Sequence, residues 1–236
     1  MLVKIGLFTD AHYCRAEVLC GTRRPSLSLS KIREAMESFR AENVDICICL
    51  GDLTDHAPDN TREDVFSCFS EALKLIRSYG IPFHFVPGNH DYLMLTAEEL
   101  MEAGLTLPPY KLTFDDVEII ALDANYRSDL RRFDEAGVEW TDANLPPEQC
   151  HFLEKALAEG DKKKIVCIHE NLDPNVDFFH IVKNAEEIRQ IIKDRAVLVL
   201  QGHYHKGAES IVDGIPYLTL RAMCEGEENA YRIVTV

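Results

Sequence analysis

Ile46-Cys47-Ile48-Cys49-Leu50-Gly51-Asp52-Leu53-Thr54-Asp55 is the stretch around which we expect the chain to fold. Its first five residues form a continuous apolar run, which is typical of a buried parallel strand. Gly51 ends the run and leaves Asp52 at the carboxyl end of the strand, where open α/β sheets bind their ligands. A buried carboxylate is costly unless it is paired or bound to a metal. The stretch therefore predicts a parallel sheet with a polar site at its edge.

Length, apolar runs and net charge limit the classes of protein to which the chain can belong. The chain has 236 residues, which suits a single α/β domain over residues 1–236. No run approaches the roughly 18 apolar residues of a membrane span, and the start, Met1 to Phe8, is typical of a first strand rather than a signal peptide. A net charge of −15 disfavours binding to nucleic-acid backbones.

The eight cysteines are informative about the redox environment of the protein rather than about a metal site. Cys47, Cys49 and Cys167 lie in apolar strand patterns and are expected to be small buried hydrophobic residues. The sequence contains no Cys-x-x-Cys pair, so neither a zinc knuckle nor a thioredoxin-like motif is supported. Free thiols favour a reducing, cytoplasmic environment.

The remaining chain alternates helical and strand patterns. Apolar periodicity predicts helices at about 28–42, 62–79, 96–103, 147–160 and 185–193, the first of them capped by Ser28 or Ser30. Strands are expected at about 81–87, 164–168 and 196–200, with a hairpin over 110–114 and 117–122 and antiparallel strands at 208–212, 215–220 and 231–236. Residues 123–144 have the composition of a long polar loop. Two sheets with helices outside are the simplest assembly.

Polar residues that can bind a metal follow the predicted strands. They are Asp10 and His12, then Asp52, then Asn89 and His90, then His169, and finally His203 and His205. Each one alone is more often a turn or packing residue, but the recurrence at successive strand ends favours a common site. Nitrogen and oxygen donors suit Mn, Fe or Zn. The ligands are too many for one tetrahedral metal, whereas two divalent or mixed-valence ions that share Asp52 accommodate them.

The motifs resemble those of the calcineurin-like metallophosphoesterases. They are Asp10-Ala11-His12, Gly51-Asp52-Leu53-Thr54-Asp55, Gly88-Asn89-His90-Asp91, His169 and Gly202-His203-Tyr204-His205, in the order of that family. The resemblance implies a four-layer α/β/β/α sandwich with a dimetal centre. Within the family, the pattern is similar to the cyclic-nucleotide phosphodiesterases and to the manganese-dependent ADP-ribose/CDP-alcohol pyrophosphatases.

The resemblance also implies a role for each residue. Asp10, His12 and His205 would hold the first metal, Asn89, His169 and His203 the second, and Asp52 would bridge them. His90 would be an acid that is not a ligand and that Asp55 orients.

The expected activity is hydrolysis of small phosphodiesters or nucleotide pyrophosphate bonds. A hydroxide that bridges two metals would attack in line while the metals hold the phosphoryl oxygens. The alternatives are a nuclease and a scaffold without catalysis. Arg23, Arg24 and Arg221 are candidates for binding a second phosphate or a base, with a solvated surface role as the alternative. The loops 13–25 and 123–144, the second with Asn125, Tyr126 and Arg127, are expected to close around a small phosphorylated metabolite.

Overall fold

The computed structural model describes residues 2–236, so Met1, where we expected the first strand to begin, lies outside the described residues. Ten strands are present among them. In chain order they are β1 (Lys4–Phe8), β2 (Ile46–Cys49), β3 (Phe83–Phe85), β4 (Tyr110–Thr113), β5 (Val117–Ala121), β6 (Lys163–Cys167), β7 (Leu198–Gln201), β8 (Ala208–Val212), β9 (Ile215–Thr219) and β10 (Arg232–Thr235).

Seven α-helices and three short 3-10 helices connect the strands. The α-helices are α1 (Ser28–Ala41), α2 (Arg62–Arg77), α3 (Asp91–Met94), α4 (Ala97–Glu102), α5 (Phe133–Ala136), α6 (Pro147–Ala158) and α7 (Ala185–Ile192). The 3-10 helices are Pro25–Leu27, Trp140–Asp142 and Phe178–His180. No helix among residues 2–236 is long and apolar enough to cross a membrane.

The strands form two sheets, with the orders β10-β1-β2-β3 and β4-β5-β6-β7-β9-β8. Strands β1 to β3 are parallel, and so are β5, β6, β7 and β9. The C-terminal strands are antiparallel where β8 meets β9 and where β10 meets β1. The parallel pairing of β9 with β7 departs from the expected all-antiparallel tail, because β9 lies between β7 and its hairpin partner β8, which forms the edge of the sheet.

Successive side chains of each strand point to opposite faces of the sheet, and the buried apolar residues form three layers. In β2, Ile46 and Ile48 point into a core shared with the second sheet, whereas Cys47 and Cys49 face the helices. Helices α1 and α2 cover the first sheet, and α6 and α7 cover the second. The predicted α/β/β/α sandwich is therefore confirmed.

The helix ends show where the sequence prediction was accurate and where it was not. In α1 the predicted apolar stripe is fully buried, but Leu27 is the N-cap and no side chain caps the helix. The Ser28 hydroxyl donates instead to the carbonyl of Ala11, in the turn after β1.

Residues 123–144 are more ordered than expected, since they contain α5 and a 3-10 helix.

Candidate metal centre

The candidate site lies where the carboxyl ends of strands from both sheets converge. A cavity of about 510 Å³ opens there. Its lining consists of Cys20, Arg23, Asp52, Asn89, His90, Leu93, Val138, Trp140, His180, His203 and His205. We call the buried polar residues at its base, Asp10, His12, Asp52, Asn89, His169, His203 and His205, the floor.

Tight backbone turns aim the floor side chains. Asp10, His12, Asp52 and His203 have φ values of 51°, 47°, 52° and 65°. This left-handed region is uncommon for residues other than glycine and costs about 1–3 kcal/mol per residue, so it persists only where the surrounding structure enforces it. Gly51 has a φ of +102°, and a Cβ there would overlap the ring of His169. The turn at Gly51 therefore allows a close approach between the end of β2 and His169, which follows β6 of the second sheet.

Asp52 occupies the middle of the floor. Its Oδ2 is 3.5 Å from His12 Nε2 and 3.4 Å from His169 Nε2, so it reaches one histidine from each sheet. Its Oδ1 accepts a hydrogen bond of 2.7 Å from the backbone N–H of His90. Asp91 holds this turn by accepting from the backbone N–H groups of Asp52 and Gly88 at 2.8 and 2.9 Å. Oδ1 of Asp52 is thus hydrogen-bonded to the backbone, whereas Oδ2 faces the two histidines.

The two carboxylate oxygens of Asp10 also have different neighbours. Its Oδ2 accepts from the Thr9 hydroxyl at 2.6 Å and from the backbone N–H of His203 at 3.1 Å. Its Oδ1 lies 3.4 Å from His205 Nε2 and 3.6 Å from His12 Nε2. The Nε2 atoms of His12 and His205 are 3.2 Å apart. Three donor atoms therefore face one another.

Three histidines are oriented by partners behind them. Nδ1 of His169 donates to the Leu50 carbonyl at 2.5 Å. Nδ1 of His205 is 2.7 Å from Glu225 Oε1, and Nδ1 of His12 is 3.1 Å from Asp55 Oδ2. In each case Nε2 is left for the centre of the site. Histidines that bind metals are characteristically held this way.

Unpaired buried atoms test whether the residues fit metal ions. Within residues 2–236, Asp10 Oδ1, Asn89 Oδ1, His169 Nε2 and His203 Nε2 are buried without a hydrogen-bond partner. Such orphaned polar atoms are costly in a protein interior unless a cation or another partner satisfies them. Donor atoms of Asp52, His169 and His203 lie within 4.8 Å of one another, as do those of His12, His205 and Cys224. The donor set therefore fits transition metals.

The electrostatics agree with this fit. Burial would raise the pKa of Asp10, but the nearby rings of His12 and His205 hold it well below its usual value. Burial would likewise lower the pKa of His12, whereas hydrogen bonds to Asp10 and Asp55 raise it to about 9. Burial and the neighbouring His169 keep the pKa of His203 well below its usual range, in the neutral form that binds metals. The pKa values of both floor carboxylates, Asp10 and Asp52, are lowered, so both are ionised and attract cations.

His90 lies beside the floor, and its side chain is held by Asp55. Its Nδ1 is 2.7 Å from Asp55 Oδ1, and the other carboxylate oxygen accepts from Arg23 Nη1 at 2.8 Å. Burial would raise the pKa of Asp55, but hydrogen bonds with His12 and His90 hold it below the usual range. Donor atoms of His90, His12 and Asp52 also fall within 4.8 Å of one another. His90 is thus oriented by an ionised carboxylate and faces the cavity.

Two of the three predicted arginines lie elsewhere. Arg23 lines the cavity, but the guanidinium of Arg24 donates to the Gly21 carbonyl at 3.3 Å. Arg221 is 3.7 Å from Glu228 and lines a second cavity that His205 also lines. Of the three arginines, Arg23 is the one that lines the cavity above the floor.

The second loop also contributes different residues from those expected. Asn125 is buried and donates to the Pro87 carbonyl at 2.9 Å, and Arg127 donates to the Ala136 carbonyl at 3.0 Å. Neither lines the cavity, nor does Tyr126. Val138 and Trp140 line it instead. The sequence pattern also missed His180 and Glu225, since neither follows a strand or forms part of a recognisable motif.

Comparison with known proteins decides the family. Residues 3–207 match the family described as Calcineurin-like phosphoesterase. The chain belongs to the calcineurin-like phosphoesterases. Over 234 residues it is 21% identical to the 3′,5′-cyclic adenosine monophosphate phosphodiesterase CpdA of Haemophilus influenzae, covering 94% of this chain and 77% of that protein. It is 25% identical to the UDP-2,3-diacylglucosamine hydrolase of Sodalis glossinidius, covering 58% of each protein.

A solved structure supports the same fold. A dimetal phosphatase from Danio rerio superimposes with a TM-score of 0.86 at 18% identity, covering 98% of this chain and 91% of that one. At this identity the likeness concerns the fold. Together with the family match it identifies the chain as a metallophosphoesterase, a family of enzymes that use a dimetal centre.

Proposed function

We propose that this metallophosphoesterase hydrolyses small phosphodiesters or nucleotide pyrophosphate bonds with two transition-metal ions, of which Mn, Fe and Zn suit the donors. One observation carries the proposal. Four buried donor atoms from the two sheets have no partner among the described residues and all belong to the floor. Because those residues extend from Asp10 to His205, we treat residues 1–236 as one functional domain.

The geometry supports a division of ligands between two ions. Asp10, His12 and His205 would hold the first, because their facing donor atoms are 3.2 to 3.6 Å apart. A second set, Asn89, His169 and His203, contains three of the unpaired atoms. Asp52 would bridge, since its Oδ2 is within 3.5 Å of a histidine of each set.

His90 is the proposed general acid. Bound metal ions would supply a water of lowered pKa and neutralise charge on the phosphoryl oxygens. Asp55 fixes the His90 ring through Nδ1, which leaves Nε2 free to carry a proton. From the cavity wall, Nε2 can give that proton to the leaving oxygen of the substrate. Asp55 remains an anion and would stabilise the doubly protonated His90 ring, which becomes neutral when Nε2 gives up its proton.

A small substrate is favoured over a polymer. The cavity volume of about 510 Å³ lies in the range of small-molecule sites. A chain with 40 Asp and Glu against 25 Lys and Arg, and a net charge of −15, would repel a nucleic-acid backbone outside the cavity. The relatives named above are a 3′,5′-cyclic adenosine monophosphate phosphodiesterase and a UDP-2,3-diacylglucosamine hydrolase, whose names specify small phosphorylated substrates.

A cytoplasmic location remains part of the proposal. All eight cysteines are free thiols, and Cys20 is exposed. Exposed thiols persist in a reducing compartment.

Metal analysis combined with turnover tests the proposal. We expect two metal ions per chain and hydrolysis of bis(p-nitrophenyl) phosphate that a chelator abolishes and added Mn²⁺ restores. Cyclic nucleotides, ADP-ribose-type pyrophosphates and oligonucleotides should then be compared by kcat/KM at low and moderate salt. Full turnover by a metal-free preparation would refute the dimetal chemistry. Preference for oligonucleotides, with binding that weakens steeply as salt rises, would establish the nuclease alternative.

A further inference from the structure

The chain's only tryptophan lies at the mouth of the cavity. Trp140 is 40% exposed although it lines the site together with Val138 and Leu93. Tryptophan has a large apolar face and contributes strongly when another ring covers it. The hydrolytic chemistry described above does not use this side chain, so its position requires a separate explanation.

Trp140 belongs to an aromatic cluster next to the floor. Its ring centroid is 5.4 Å from that of His180 and 5.8 Å from that of His203, and the two histidine rings are 5.1 Å apart. Because His203 is a proposed metal ligand, a group resting on Trp140 would be one ring away from a phosphoryl group on the floor. That spacing suits the organic part of a bound phosphoester.

The segment that carries Trp140 is held in place. Asp142, in the same 3-10 helix, accepts from the backbone N–H and hydroxyl of Ser128 at 3.0 and 2.9 Å. The backbone N–H of Lys183 donates to the Ala143 carbonyl at 2.8 Å and joins this segment to the one that carries His180. The aromatic wall is therefore preorganised, which lowers the entropy cost of ordering it around a ligand.

The cavity also has a polar lining. Arg23, Asp52 and His90 contribute to it, together with floor residues. The lining thus combines an aromatic cluster with charged and polar groups. We propose that Trp140, flanked by His180, is the stacking platform for a planar heterocyclic base, and that the natural substrates are nucleotide phosphoesters. This inference rests on the proposed function and specifies its substrate class.

A planar base fits the wall better than an acyl chain does. The rings of Trp140, His180 and His203 form a compact patch, and an imidazole presents polar nitrogen atoms that a hydrocarbon chain would desolvate without replacement. A base stacks on such rings irrespective of its identity, and its own polar edge can bind His180.

Fluorescence provides a readout separate from turnover. Because Trp140 is the only tryptophan, all tryptophan emission reports on this wall. We expect adenosine 5′-monophosphate to change the emission of the intact protein saturably, whereas ribose 5-phosphate, which lacks the base, leaves it unchanged. Equal responses to both ligands, or inhibition by the nucleotide without any change in emission, would overturn the proposal.

Kinetics with a matched pair of esters gives the second test. Thymidine 5′-(p-nitrophenyl phosphate) and methyl p-nitrophenyl phosphate share a leaving group and differ in the nucleoside. We expect Trp140→Ala to reduce the ratio of their kcat/KM values roughly 5- to 150-fold, and Trp140→Phe to retain most of it. Phe66→Ala is the matched control, since Phe66 is 39% exposed on α2 and does not line the cavity. It should leave the ratio unchanged.

Different results would refute the proposed function and the stacking platform. A wild-type protein that hydrolyses no small phosphoester after metal loading would refute the proposed function. Normal hydrolysis with an equal loss on both esters in Trp140→Ala would refute the stacking platform alone. A selective loss against acyl-bearing esters, with nucleotides unaffected, would also refute it and would assign the wall to a lipid chain.

Discussion

The floor and the rim of the cavity are built in opposite ways. On the floor, Asp10, His12 and Asp52 are buried, sit on left-handed backbone and are fixed by hydrogen bonds. On the rim, Trp140 and Leu93 are about two-fifths exposed and belong to short helical segments. From this difference we infer that the reaction and the choice of substrate would depend on separate parts of the structure. Floor substitutions should affect all substrates alike, whereas rim substitutions should discriminate among them.

Asp52→Asn should produce the largest effect. The change keeps the size of the side chain but removes the charge that faces both His12 and His169. We expect a loss of turnover well beyond the roughly 10–100-fold that follows removal of an outer partner of a metal ligand. Metal content measured by mass spectrometry should fall for both ions together, on every substrate tested.

Folding must be checked in the same variant. The amide oxygen of Asn can still accept from the His90 N–H, so the thermal unfolding midpoint of the metal-free protein should change little. Wild-type turnover with two bound metals would show that Asp52 does not bridge, and the distinction between floor and rim would lose its main support.

His90→Asn should rank second and should separate catalysis from metal binding. General acid catalysis is typically worth about 10²–10⁴-fold. We therefore expect a loss of this size for esters with poor leaving groups and a much smaller loss for p-nitrophenyl esters, while both metals remain bound. The measurement is the slope of log(kcat/KM) against leaving-group pKa, together with metal content. Loss of one metal would make His90 a ligand, as its proximity to His12 and Asp52 allows.

Glu225→Gln should have an intermediate effect on the floor. The Glu225 carboxylate is 2.7 Å from His205 Nδ1 and holds that ring. Losing its charge should weaken the first metal about 10–100-fold, and excess metal should restore most of the turnover. Titration of the metal-free protein with Mn²⁺ measures the change. Glu228→Gln is the control, because Glu228 is exposed and pairs with Arg221 rather than with a floor histidine.

The floor could be predicted from the sequence because its residues follow a rule of topology. The turns after parallel strands carry Asp10, Asp52 and His169 to the same edge, and the apolar runs that precede them are easily recognised. The same periodicity predicted most of the helices and strands, whereas the four-layer sandwich was implied by the resemblance to the family. Ser28 escaped the prediction, because its hydroxyl found the Ala11 carbonyl rather than its own helix end.

The rim follows no such rule. Trp140 and His180 reach the cavity through irregular segments whose paths depend on single tertiary hydrogen bonds, such as that from Lys183 to Ala143. Neither periodicity nor spacing encodes those bonds. Arg23 and Arg24 show the consequence, since adjacent residues of one type ended on different sides of the loop.

Arg23→Gln should have the smallest effect that is still measurable. The Arg23 guanidinium lines the cavity, but one of its nitrogens already donates to Asp55. Hydrogen bonds to charged groups contribute about 1.5–3 kcal/mol, so a shared guanidinium should change KM by about tenfold, at the low end of that range. KM should rise on anionic substrates while metal content stays constant, as measured by steady-state kinetics and metal analysis.

Arg24→Gln is the matched control and tests the rim most directly. Arg24 is the same residue type one position along the chain, with the same formal charge, but its guanidinium binds the Gly21 carbonyl outside the cavity. A general electrostatic attraction for the substrate would make the two variants equivalent, since each removes one positive charge from a protein of net charge −15. Contact within the cavity predicts instead that KM changes about tenfold for Arg23→Gln and less than about twofold for Arg24→Gln. Equal effects would mean that long-range charge, rather than the residues that line the rim, governs how the substrate is held.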